Sequence, residues 1–139
     1  MHKECIMQLS HESLLLRRAL RADAGVSGAA GLLLAVGAGL LGSLLDLPAA
    51  LVRDAGLVLL PYAAVVAYIG TRERMARVAV WAVIAANTLW AIDSIVLLVS
   101  GWVAPTALGY AFVIAQALVV AAFAELQYIG MRRAATIVA

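Results

Sequence analysis

Four runs of predominantly apolar residues constrain this chain more than any other feature: 24–45, 51–70, 78–100 and 105–130. Each is close to the ~20 residues that a helix needs to cross a hydrocarbon layer ~30 Å thick. The connections are short, "DLPAA", "TRERMAR" and "GWVA". Inside lipid a backbone must satisfy its own hydrogen bonds, so helices are expected, and short connections make neighbours antiparallel. The reading is an all-α membrane protein, an antiparallel four-helix transmembrane bundle. Composition agrees. The chain of 139 residues is 65% hydrophobic, against ~45–50% for soluble domains, and its mean hydropathy is +1.03.

Charge sets the expected direction. Lys3, Arg17, Arg18, Arg21, Arg72, Arg74, Arg77, Arg132 and Arg133 fall on one side of the bundle, and Arg53 alone on the other. The positive-inside rule then places both termini in the cytoplasm. Tyr68, Trp81 and Tyr128 mark that interface, and Trp102 the outer one. The excess of Arg over Lys in an Ala/Leu/Val/Gly background suggests a bacterium, hence its inner membrane. Residues 1–22 read as a cytoplasmic segment, 23–133 as the membrane domain and 134–139 as a tail. The first segment lacks a cleavage site after a short apolar core and is not read as a signal peptide. Residues 9–22, "LSHESLLLRRALRA", form either a short interfacial amphipathic helix or an extension of span one.

Weak self-similarity is visible. "YIGTR" (68–72) closes span two and "YIGMR" (128–132) closes span four, while Pro48 and Pro105 open the same spans. Arg21 precedes span one as Arg77 precedes span three. These offsets fit a helical hairpin duplicated in parallel orientation, with chance similarity in an apolar chain as the alternative.

Several chemistries find no support. The single Cys5 excludes an intrachain disulfide, and His2 and His11 both precede the spans, so neither haem nor a histidine metal site is expected. The basic residues lie scattered at span ends, unlike a nucleic-acid footprint. No catalytic set assembles, so the chain is read as non-enzymatic with no cofactor.

The residues left to explain are polar groups inside the spans. In span three, Asn87, Trp90, Asp93 and Ser94 share one arc of a helix. An ionised Asp at mid-span costs ~2.5–3.5 kcal/mol, so this face should meet protein rather than lipid. One reading is a polar clasp, with Asp93 paired to Arg53 and Asn87 bonded to Gln116. The others are a ligand or ion site and a contact with another subunit. Glu125 is expected to pair with Arg72, Arg74 or Arg132 near the interface. Gly28, Gly31, Gly39 and Gly42 line span one and suit close helix packing. Pro61 should kink span two, with a cavity near mid-membrane as one consequence.

The stretches "LLRRALRADAGVSGAAGLLL", "LDLPAALVRDAGLVLLPYA" and "WVAPTALGYAFVIAQALVVAAFAELQYIGMRR" together resemble small bacterial four-span integral membrane proteins of unassigned function, over residues 14–133. That resemblance implies a four-helix membrane protein and transfers no site residue. Small multidrug transporters are similar in size and span count, but they rely on a carboxylate inside the first span. With span one at 24–45, no carboxylate lies between Asp23 and Asp46. The leading functional expectation is an accessory, assembly or scaffold subunit whose partners are the lipid bilayer and other membrane chains. The alternative is a protein that binds or transports a small solute, lipid or ion through Asn87, Trp90, Asp93 and Gln116.

Overall fold

The computed structural model describes residues 2–138, and side chains over residues 14–134. Its elements are α1 (His2–Val36), α2 (Ala38–Leu45), α3 (Ala49–Thr71), α4 (Arg77–Val99) and α5 (Ala107–Val138). Four segments are long and apolar enough to cross a membrane: Leu14–Val36, Ala49–Thr71, Arg77–Val99 and Ala107–Ala134. The chain is an all-α, multi-pass membrane protein built as a four-helix bundle. The end carrying both chain termini is called here the termini end, and the opposite one the far end.

Span one begins earlier than the 24–45 run, and of the two readings of residues 9–22 the extension of span one holds. No separate interfacial helix covers 9–22, because α1 runs without a break to Val36. Leu16, Ala19 and Leu20 are buried in the bundle rather than resting on lipid. Arg17 likewise turns inward. Its guanidinium donates to the carbonyls of Gly70 (3.0 Å), Arg72 (2.6 Å) and Glu73 (3.3 Å). These include orphan acceptors at the C-terminal end of α3, where a cation also suits the helix dipole.

Gly37 divides α1 from α2 with φ −90° and ψ 10°, yet Gly37 N–H donates to Leu33 O and Leu41 N–H to Gly37 O. It is a local bend in one long rod. Asp46 then stops α2 in the left-handed region at φ 52°, and Leu47 N–H returns to Gly42 O at 2.9 Å. This is the pattern of a Schellman end. Thr106 joins the two far-end loops. Its N–H and hydroxyl donate to Leu45 O and Leu44 O, and the hydroxyl accepts Gly109 N–H at the start of α5.

Small residues set how closely α1 and α3 approach. A methyl on Gly56 would sit 2.5 Å from the Ala35 nitrogen and 2.6 Å from Gly31 O. Gly31 and Gly28 occupy the same antiparallel seam, against Leu59 and Ala63, and Gly42 lies against Leu47 and Ala49. Gly39 does not: nothing lies within 4 Å of a methyl built there, so it faces out of the bundle. Gly56 and Gly109, the latter against Leu45 O, are tight contacts that the sequence did not single out.

The helices pack as two hairpins, α1–α3 and α4–α5, held together chiefly where α1 meets α5. The α3–α4 seam makes far less contact. The repeated "YIG" glycines both pack on α1, Gly70 against Leu20 and Gly130 against Leu16. Any ancestral duplication has therefore not kept a symmetric bundle. One apolar core around Leu16, Leu20, Val66, Val80 and Ile84 fills the termini half. A second around Leu34, Leu45, Val52 and Val113 fills the far half.

Candidate functional site

Polar side chains lie between these two cores, in two groups. The first centres on Asp23, which is 0% exposed. Ser27, one turn later on α1, donates its hydroxyl to Asp23 Oδ1 at 2.9 Å. The other oxygen, Oδ2, is reached from three further helices. Tyr62 Oη of α3, Asn87 Nδ2 of α4 and Gln127 Nε2 of α5 each stand 2.8 Å away. Asn87 Nδ2 also donates to Gln127 Oε1 at 3.1 Å, and Tyr62 Oη lies 2.8 Å from Asn87 Oδ1. Every side chain that touches the carboxyl is a neutral hydrogen-bonding group. Asn87 is 3% and Gln127 0% exposed, while Tyr62 is half-buried at the edge of the group.

At 1.5 Å per residue, these four residues sit roughly 10–15 Å in from the termini ends of their apolar segments. That is deep in a hydrocarbon layer ~30 Å thick. The placement of Asp23 corrects the sequence reading, which set it at the mouth of span one. It lies well inside Leu14–Val36, so the first span does carry a carboxylate.

The second group lies toward the far end. Trp90 Nε1 donates to Gln116 Oε1 at 2.9 Å, Gln116 Nε2 donates to Ser94 Oγ at 2.8 Å, and Ser94 Oγ donates to Trp90 O at 2.7 Å. The loop closes between α4 and α5 and forms part of the wall of a cavity of about 340 Å³. The rest of the lining is largely aliphatic, with Leu34, Leu51, Val52, Leu59 and Val113 among it. Asp93 is the one ionisable residue in that lining, and it is otherwise exposed. The cavity takes residues from both α3 and α4, at the seam where these helices touch least. Pro61 is not part of it and faces outward on α3.

The expected polar arc therefore divides. Trp90, Asp93, Ser94 and Gln116 share the cavity, whereas Asn87 turns to the Asp23 group and does not bond Gln116. Helical rotation put Asn87 on the same arc as Trp90, but their α5 partners, Gln127 and Gln116, lie about three turns apart along that helix. Arg53 is exposed and outside the cavity lining, and among the described residues no ion pair joins it to Asp93. Glu125 is exposed beside Thr88 and Tyr128, with no ion pair to Arg72 or Arg74 among the described residues. Arg72 stacks over Tyr68 at 5.2 Å. Arg132 stacks over Tyr128 at 5.6 Å and donates to its hydroxyl at 3.2 Å. These guanidinium–aromatic contacts hold the cations at the interface.

Sequence reasoning missed Asp23, Ser27, Tyr62 and Gln127 as site residues. A signal was present: "LLL" at 14–16 and "AL" at 19–20 precede Asp23 with helical spacing. Among the described residues no three of His, Cys, Asp and Glu gather as a metal site. No known protein family, curated protein or solved structure matches the chain.

Proposed function

We propose that this protein binds an amphipathic small molecule within the membrane, in the cavity at the far end of the α3–α4 seam. The observation that carries this reading is the cavity itself: about 340 Å³, aliphatic on most sides, with Trp90, Ser94 and Gln116 at one wall and Asp93 beside them. That volume falls in the range of small-molecule sites, ~300–1,000 Å³, and the mix of apolar lining with few polar groups is typical of them. An apolar body would occupy the aliphatic part, with a hydrogen-bonding or cationic head toward Asp93. The weak α3–α4 contact supports a lateral entrance from the bilayer. In this reading the chain sits in a bacterial inner membrane with both termini cytoplasmic, which the basic residues of the termini end support.

The test uses brominated single-chain amphiphiles as quenchers of tryptophan fluorescence in vesicles, with Trp81 and Trp102 replaced by Phe so that Trp90 reports alone. The expected result is saturable quenching that is lost when Ala55→Leu and Val52→Phe fill the cavity. Equal, unsaturable quenching in the filled variant sinks the reading. A second reading, an accessory subunit, has one observation in its favour. Gly25 and Gly39 leave close-approach positions on the outside of α1 and α2. A monodisperse monomer in native-lipid particles would count against it.

A further inference from the structure

We propose that the Asp23 carboxyl is a proton-binding site, and that its proton ties α3 to α4. The argument is a count of hydrogens. Five short contacts link the group around Oδ2: Tyr62 Oη to Asp23 Oδ2, Tyr62 Oη to Asn87 Oδ1, Asn87 Nδ2 to Asp23 Oδ2, Asn87 Nδ2 to Gln127 Oε1, and Gln127 Nε2 to Asp23 Oδ2. The neutral partners bring four hydrogens to them: one from the hydroxyl, two from the Asn87 amide and one from the Gln127 amide. With Asp23 ionised, one of the two oxygen–oxygen contacts at Tyr62 has no hydrogen, and lone pairs face each other at 2.8 Å. Reversing the Asn87 amide does not mend this, because it leaves two contacts without a hydrogen. A proton on Asp23 Oδ2 completes the set. Asp23 then donates to Tyr62 Oη, and Tyr62 donates to Asn87 Oδ1.

The surroundings offer no substitute for that proton. The side chains facing the carboxyl are Ser27 on α1, Tyr62 on α3, Asn87 on α4 and Gln127 on α5, and of these only Tyr62 is titratable. Charged residues nearby on α1 are Arg17, held by carbonyls at the end of α3, and Arg21, exposed beside Gly70. Arg77 on α4 and Glu125 on α5 are exposed. Release is a simple ionisation: the O–H bond of the acid breaks, the proton passes to water, and the electron pair stays on the carboxylate. Tyr62 then turns its hydrogen to Asp23. The Tyr62–Asn87 bond, which bridges the weakly packed α3–α4 seam, is lost. This site stands whether or not the cavity beyond it holds an amphiphile.

Infrared difference spectroscopy of the full chain in vesicles tests the proposal over a pH series. The expected result is a protonated-carboxyl C=O band, sensitive to D2O, that is present in the wild type and in Asp93→Asn and Glu125→Gln. It is lost in Asp23→Asn and moves to higher frequency in Tyr62→Phe, which removes the acceptor of the acid hydrogen. Survival of the whole band in folded Asp23→Asn overturns the proposal. If Asp23→Asn fails to fold, Tyr62→Phe decides: an unmoved band refutes it and a shifted band supports it. A wild-type spectrum that responds to sodium at constant pH, with no acid band, also refutes it and identifies a bound cation.

Discussion

Asn87→Leu is the substitution with the most to reveal. Leucine keeps the branched skeleton of asparagine without its polar atoms and, at 3% exposure, the site admits no water to compensate. The change removes the bonds to Asp23 (2.8 Å), to Gln127 (3.1 Å) and from Tyr62 (2.8 Å). Side-chain hydrogen bonds inside membranes average ~0.6 kcal/mol and reach ~1.7, so three amount to about 2 kcal/mol. Gln127 Oε1 is then left buried without this donor, and an unsatisfied buried polar group costs about 1–3 kcal/mol. The expected loss is therefore about 3–5 kcal/mol, measured by steric trapping or reversible unfolding in mixed micelles or bicelles. A double-mutant cycle with Gln127→Leu should show strong coupling, because removing both amides leaves fewer orphans than removing either. A loss below about 0.5 kcal/mol, or simple additivity, would refute the reasoning.

Other consequences follow from the same contacts. Gly56→Val should destabilise the α1–α3 hairpin by several kcal/mol or prevent folding, since even a methyl would meet Ala35 N at 2.5 Å, whereas Gly39→Val, in open space, should change unfolding little. Arg17→Gln should shift unfolding by about 1–2 kcal/mol through the loss of charged donors to the α3 carbonyls, and amide exchange in 70–76 should rise. Thr106→Val should cost about 1 kcal/mol, as a lost helix cap does. Asp93→Asn should leave stability within about 0.5 kcal/mol, because Asp93 is exposed and makes no ion pair with Arg53.

The apolar runs were enough to read four helices, and the short loops their antiparallel order. Both are local properties of the chain. The start of span one stays between two readings of residues 9–22 in the sequence, because Arg17, Arg18 and Arg21 imitate a membrane boundary. In the bundle Arg17 bonds backbone carbonyls of the next hairpin turn, a partner more than fifty residues away. The polar arc of α4 was visible from helical spacing, but spacing carries no information on depth or on the opposing helix. Thus Trp90, Ser94 and Gln116 were placed near one another, while Asn87 found Asp23 and Gln127 instead of Gln116. Close approach of α1 and α3 depends on Gly56 meeting Gly31 and Ala35, a property of the pair rather than of either run.

The central claim is that four helices converge on one buried carboxyl. Solid-state NMR of the chain in bilayers tests it directly, because the sequence holds a single Asn, Asn87, and four Asp. In a sample with labelled Asp carboxyl carbons and Asn side-chain nitrogen, one carboxyl signal should be strongly dephased by the Asn87 amide, and that signal should vanish in Asp23→Glu. No dephased signal from a folded, helical sample, or dephasing of the Asp93 signal, would contradict the account.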